Sequence, residues 1–308
     1  MMNASATGTL AALSADIAQA VARIGPSVAY VDAHPRRDAS GFAWDAHHVV
    51  TVDHAIDRED EIELRLADGA TARAALVARD ASTDIALLRT DATLEAAPRT
   101  SLAAIAVGHL VLAVGRDEDG APGASLGVVS SLDGPWRTWR GGEVDRFIRP
   151  DCNVYPSFSG GPLVDVAGDV IGMNTWGLSR RMALTLPIAT IERVVAALLA
   201  GGRVARGYLG VALQTVRLPA ALRAAHALAQ QAGAVVVDVA SDGPAERAGL
   251  TLGDVILALG EHEVEDAGDL QRALGTSSVG TVAKVRFLRG GETRELPVTI
   301  AERPHDDD

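Results

Sequence analysis

The chain has 308 residues, a length that suits two ordinary domains. Hydrophobic residues make up 48% of it but aromatics only 4%, so its cores must be built from Val, Leu, Ile and Ala. Lys and Arg number 28 against 40 Asp and Glu, a formal charge of −12, which argues against non-specific nucleic-acid binding and adhesion to anionic membranes. The single cysteine, Cys152, excludes an intrachain disulfide and reads as a small core residue, with a thiol nucleophile as the alternative.

From the N-terminus, Leu10, Leu13, Ile17, Val21 and Ile24 recur at helical spacing, and Gly25-Pro26 stops the helix. The segment 1–26 is therefore a leading helix packed on the body that follows. It lacks the basic start and continuous apolar run of a signal peptide, and no stretch of about 18 apolar residues occurs anywhere. As written, the sequence reads as a soluble cytoplasmic protein, and as a periplasmic or secreted one if a leader is missing.

From Ser27 onward the pattern changes to short β-type runs punctuated by Gly, Asp and Pro. Val28–Val31, Val49–Val52, Glu61–Leu66, Ala72–Ala78, Ile85–Thr90, Val111–Val114 and Ser125–Ser131 suit an all-β barrel or sandwich. Pro135–Gly142 reads as a loop or a hairpin tip. Strands resume at Phe147-Ile148, Leu163–Val166, Val170–Asn174 and Ala183–Pro187, before a helix over Ile188–Leu199 that ends at Gly201-Gly202. A second unit spans 206–303, with strands over Ala234–Val239 and Ala283–Leu288 and a helix over Ala267–Leu274. The acidic tail 304–308 has the composition of a disordered segment.

The chemistry centres on Tyr155-Pro156-Ser157-Phe158-Ser159-Gly160-Gly161-Pro162-Leu163. The two glycines allow a sharp turn and a close backbone approach, and Ser159 is displayed there. A nucleophilic serine needs a base and an orienting carboxylate. His54 follows the apolar run Val49–Val52, where a strand end would present it, whereas His47 and His48 read as turn residues. No metal-ligand spacing joins these histidines. Asp84 is followed at once by Ile85-Ala86-Leu87-Leu88 and so is poorly placed to point freely into water, while Asp80 suits a turn cap. The order His, Asp, Ser is that of the chymotrypsin type.

Four passages together resemble the HtrA (Deg) family of trypsin-like serine proteases with a C-terminal PDZ domain. Ser40-Gly41-Phe42 through Thr51-Val52-Asp53-His54 resembles the family's Gly-Ser-Gly loop and Thr-Asn-x-His segment. Asp80–Leu88 resembles its Asp-x-x-x-Asp-Leu-Ala-x-Leu. Ser157–Leu163 with Val170–Thr175 resembles Gly-Asn-Ser-Gly-Gly-Pro-Leu and Ile-Gly-Ile-Asn-Thr. Tyr208-Leu209-Gly210-Val211 and Gly243–Asp254 resemble the PDZ signatures.

The resemblance implies a mostly β fold, a two-barrel chymotrypsin-like protease domain over 27–202 followed by one α+β PDZ domain over 206–303. It implies a His54, Asp84 and Ser159 triad, an oxyanion hole from the N–H groups of Ser157 and Ser159, and Asn153 at the base of the specificity pocket. A neutral Asn153 disfavours Arg or Lys before the scissile bond. Extended C-termini would add beside the strand after Gly210, with the carboxylate at Leu209 and Gly210 and the pairing starting at Val211; Arg206 reads either as an electrostatic aid to that carboxylate or as a solvated linker charge.

Two positions depart from the family pattern: Ser157 stands for Gly and Phe158 for Asn. The function implied is an ATP-independent serine endopeptidase for unfolded or damaged proteins, with no cofactor, since no Walker-type loop occurs. A latent or inactive protease-fold protein acting as a PDZ adaptor or holdase is the competing reading. The family commonly trimerises through aromatics near its N-terminus, but none precedes Tyr30, so a trimer would need other contacts.

Overall fold

A computed structural model of the chain describes residues 4–58, 62–179, 181–201, 207–274 and 278–302. The acidic tail 304–308 and Arg206 lie outside the described residues. The chain clusters into two compact units, residues 1–203 and 204–308.

The first unit opens with helix α1, Ala4–Ile24, which begins earlier than the apolar spacing suggests. Ala20 and Ile24 are buried, and the Arg23 guanidinium donates to Ala167 C=O and to Asp169 near barrel two. Strands β1 Val28–Asp32, β2 Ala39–Ala43, β3 His48–Thr51, β4 Ile62–Arg65, β5 Thr71–Asp80 and β6 Ile85–Thr90 close into a barrel in the order β1-β2-β3-β6-β5-β4. Within β6, Ile85, Ala86, Leu87 and Leu88 are all buried, as the unbroken apolar run requires. Burying each of Ile85, Leu87 and Leu88 adds roughly 1.5–3 kcal/mol of hydrophobic stabilisation.

The second barrel uses β7 Leu110–Arg116, β8 Pro122–Asp133, β11 Phe147–Pro150, β12 Pro162–Val164, β13 Val170–Thr175 and β14 Leu184–Pro187. It closes in the order β11-β14-β13-β12-β7-β8. Between β8 and β11, the two-residue strands β9 Trp136-Arg137 and β10 Glu143-Val144 form the expected hairpin. Helix α2, Ile188–Gly201, buries Ile188, Ile191, Val194, Val195 and Leu198, an i, i+3, i+7 face, on β5, β6, β13 and β14.

The second unit is a sheet in the order β16-β17-β18-β20-β21, from Val211–Arg217, Ala232–Val239, Val255–Leu259, Val282–Arg289 and Glu292–Thr299. β19, His262-Glu263, pairs with β18, and β15, Gly207-Tyr208, pairs with β22, Ala301-Glu302. Three short helices accompany it: α3 Ala220–Ala225, α4 Pro244–Ala248 and α5 Ala267–Ala273. A reciprocal capping box of Asp266 and Asp269 starts α5. Beneath the sheet, Asp254 is buried and receives two N–H groups of Arg289 at 2.7 and 2.6 Å.

Candidate active site

The turn before β6 brings the first two groups together. Asp80, at the end of β5, accepts the hydroxyls of Ser82 and Thr83, which is the capping role its sequence suggests. The chain then passes through Asp84 at φ 60°, a left-handed conformation that a non-glycine residue seldom takes. That conformation aims the carboxylate at His54, which sits in a single 3₁₀ turn after β3. Both Asp84 oxygens lie 2.9 Å from His54 Nδ1, and Asp84 Oδ1 also accepts the His54 backbone N–H at 3.0 Å. The Thr175 hydroxyl donates to Asp84 Oδ2. This buried carboxylate is thus gripped by three donors and fixes the ring, leaving Nε2 for the cleft. Gly177 packs so closely that a Cβ there would lie 2.4 Å from Asp84 Oδ2 and 2.6 Å from His54 Nδ1.

Ser159 follows a 3₁₀ turn over Pro156–Phe158. Gly160, at φ 85°, lets the backbone double back against β2, where a Cβ would meet Ser40 C=O at 2.1 Å. Among the described residues, the Ser159 hydroxyl accepts one hydrogen bond, from Trp176 N–H at 3.3 Å, and none links it to His54. The Ser159 backbone N–H donates to Pro156 C=O at 3.1 Å. Ser157, the other expected oxyanion donor, lies within the same turn and is not among the residues at positive φ. The Ser159 N–H is therefore already paired with a carbonyl of its own turn.

Phe158 anchors the turn from below. Its ring lies where Cβ atoms on Gly115 and Gly123 would sit, 2.5 and 2.9 Å away. These two glycines face each other across β7 and β8, so a cross-strand glycine pair forms the slot. Tyr155 meets the ring edge-on at 5.2 Å. Cys152 packs against the same core, and burial pushes its thiol up, which disfavours the thiolate.

Asp53, next to His54, is also buried. Burial pushes its carboxyl up to about 6; Arg79 and Arg140 pull it down, and Asp84 and Asp80 add to the rise. Its ion pairs are long, 3.6 Å to Arg79 and 4.0 Å to Arg140, and among the described residues Oδ1 has no hydrogen-bond partner. Arg140 belongs to the β9–β10 hairpin, which is held on this turn by the Thr138 hydroxyl bonding Ser82 C=O at 2.6 Å.

Asn153 is exposed, and its N–H donates to the Ser125 hydroxyl at 3.0 Å. Thr175, Trp176 and Gly177 were not marked by the sequence pattern as site residues. The Trp176 indole N–H donates to Val154 C=O at 3.0 Å, tying the end of β13 to the segment before Ser159.

In the second unit, Leu209 is buried and Gly210 turns at φ 78° into β16, an edge strand beginning at Val211. β16 faces α5, and Val211, Leu213, Leu270, Ala273 and Leu274 make that side apolar. An unpaired strand edge beside an apolar helix face has the form of a β-augmentation site.

Two closed six-stranded barrels with a His–Asp pair beside a serine turn, followed by a separate α+β unit, define a trypsin-like serine protease joined to a PDZ domain. The sequence matches the trypsin-like peptidase domain over residues 39–173 and the PDZ domain over 207–300. The chain belongs to the HtrA-type serine protease family. Among solved structures, it superposes on the HtrA-type protease AlgW with a tripeptide at 31% identity and TM-score 0.73, covering 94% of this chain and 98% of that one. The serine endoprotease from Yersinia pestis gives TM-score 0.74 at 28% identity, again covering 94% and 98%. A relative from Pseudomonas putida, named "Probable periplasmic serine endoprotease DegP-like", is 35% identical over 84% of this chain and 54% of its own length. One of the same name from Brucella suis is 34% identical over 88% of this chain and 54% of its own. The chain thus spans about half the length of these relatives.

Proposed function

We propose that the chain is an ATP-independent serine endopeptidase for unfolded or damaged proteins, with a protease domain over 27–202 and a PDZ domain over 206–303. The observation that carries this reading is the Asp84 carboxylate held on His54 Nδ1, with Thr175 locking its far oxygen. Such a pair fixes the tautomer in which Nε2 accepts a proton and stabilises the imidazolium that results.

In this mechanism Ser159 Oγ attacks the peptide carbonyl carbon while its proton passes to His54 Nε2. The new C–O bond forms and the carbonyl oxygen takes the negative charge. His54 then gives the proton to the leaving amine as the C–N bond breaks. Water repeats the sequence on the acyl-enzyme, yielding the free acid and Ser159. The anion needs the Ser157 and Ser159 N–H groups, so the Pro156–Ser157 peptide must rotate out of the turn first.

The bond from Ser159 N–H to Pro156 C=O favours a second reading, a latent or inactive protein whose PDZ unit binds C-termini without hydrolysis. Peptide C-termini would pair with β16 from Val211, their carboxylate at Leu209 and Gly210. Asn153 as pocket base gives a preference against Arg and Lys. The relatives' names place them in the periplasm, and that compartment is proposed here in place of the cytoplasmic expectation. No helix among the described residues is long and apolar enough to cross a membrane.

A fluorophosphonate probe with mass-spectrometric mapping, run beside Ser159→Ala, tests the reading. Adduct on Ser159 alone supports a working acyl-transfer site. No adduct, even with unfolded protein and a C-terminal peptide added, favours the latent protein.

A further inference from the structure

Ser40 lies on β2 and is completely buried. Its hydroxyl carries one proton. That proton goes to Ser157 C=O at 2.6 Å, since the other acceptor in reach, Arg116 C=O, is 3.5 Å away. The oxygen in turn accepts Arg116 N–H at 2.9 Å. The Ser40 backbone N–H donates to Ser159 C=O at 2.8 Å, and its own C=O accepts the Thr51 hydroxyl at 2.7 Å. One residue therefore holds the carbonyls on both sides of Phe158, whose ring is itself fixed in the Gly115–Gly123 slot.

Arg116 extends this hold towards the N-terminus. Its guanidinium is buried and, among the described residues, bonds three carbonyls: Val28 at 2.6 Å, Gly25 at 2.8 Å and Gly120 at 2.6 Å. Gly25 and Val28 flank the turn by which α1 enters β1.

Opening the anion site requires the Pro156–Ser157 peptide to rotate. That motion changes ψ of Pro156 and φ of Ser157 and leaves Ser157 C=O in place. We propose that Ser40 is a positioning residue of this site. Its hydroxyl pins Ser157 C=O as the pivot, so that only the Pro156–Ser157 peptide turns between the closed and open forms. Arg116 ties the pivot to the segment leaving α1. The proposal rests on the acyl-transfer reading of Ser159.

The test compares wild type with Ser40→Ala, which keeps the bonds of the Ser40 backbone and removes the pin together with the acceptor of Arg116 N–H. Three readouts are taken on the full chain: probe labelling rate at Ser159, kcat and KM on an unfolded protein substrate, and amide hydrogen exchange over 157–161. Ser40→Ala is expected to lower labelling and kcat about tenfold, the size of one lost buried hydrogen bond, with KM unchanged. Exchange over 157–161 should accelerate. If Ser40→Ala does not fold, Arg116→Lys carries the test. Lysine cannot span the three carbonyls, and the same loss in kcat at constant KM is expected. A folded variant with wild-type labelling and wild-type exchange overturns the proposal. Wild type that neither labels nor hydrolyses overturns the protease reading instead, and the exchange data still judge the pin.

Discussion

Ser159 N–H donates to Pro156 C=O at 3.1 Å, so the backbone donor of Ser159 is spent inside the turn that carries it. Releasing it by peptide rotation would swing φ of Ser157 by about half a turn, from the 3₁₀ range near −60° to positive values. A side chain resists those values and glycine does not. Ser157→Gly should therefore raise kcat and probe labelling about tenfold or more, since a strained residue costs roughly 1–3 kcal/mol. Rates equal to wild type would show that Ser157 does not set the closed state.

Thr175 gives a second prediction. Its hydroxyl is a side-chain donor to Asp84 Oδ2, and it also accepts Gly177 N–H at 2.9 Å. Thr175→Val keeps the shape and removes both bonds. The carboxylate would then hold His54 less firmly, and kcat should drop about tenfold with little change in KM. Asp84→Asn, which reverses the tautomer preference, should cost about 10⁴-fold. Thr175→Val with full kcat would remove Thr175 from the positioning of the pair.

How far the site was legible follows from where its signals lie. Asp84 and His54 could be read because each abuts an apolar run that becomes a buried strand. The roles of Ser40 and Thr175 could not. Ser40 meets Ser157 across 117 residues and Thr175 meets Asp84 across 91, and only the packing of one barrel against the other brings them together. The 3₁₀ turn at Pro156–Phe158 was also hidden, because a Pro-Ser-Phe segment has no periodicity. β2 carries a weak strand pattern, since Ser40 and Gly41 interrupt it. β21 carries little pattern because it is an edge strand whose residues are mostly exposed.

The second unit offers a binding prediction. Gly210 turns at φ 78° to start the edge strand, and a Cβ there would approach the Tyr208 ring and Ala240 at 3.2–3.3 Å. Gly210→Val should disturb the turn by roughly 1–2 kcal/mol and weaken a peptide with an apolar C-terminus about tenfold. Blocking the peptide's carboxylate as an amide should weaken it comparably. Titration calorimetry on the full chain reads both, and unchanged affinity in both would place peptide binding away from β16.

The last prediction concerns pH, through Asp53. Its folded carboxyl is raised from 3.8 to about 6, chiefly by burial. Between these values the folded protein holds more protons than the unfolded one, so stability falls as pH rises from about 4 to about 6. Above pH 6 the penalty is complete, on the order of 3 kcal/mol at most. Arg79 and Arg140 offset it only partly, at 3.6 and 4.0 Å. Asp53→Asn keeps the size and removes the charge. It should raise the melting temperature at pH 8 by several degrees and leave it nearly unchanged at pH 4, where the native carboxyl is already protonated. Thermal melts from pH 4 to 8 on both proteins check this. If the two curves run parallel across that range, Asp53 is not the group that titrates, and the Arg79 and Arg140 pairs hold it ionised throughout.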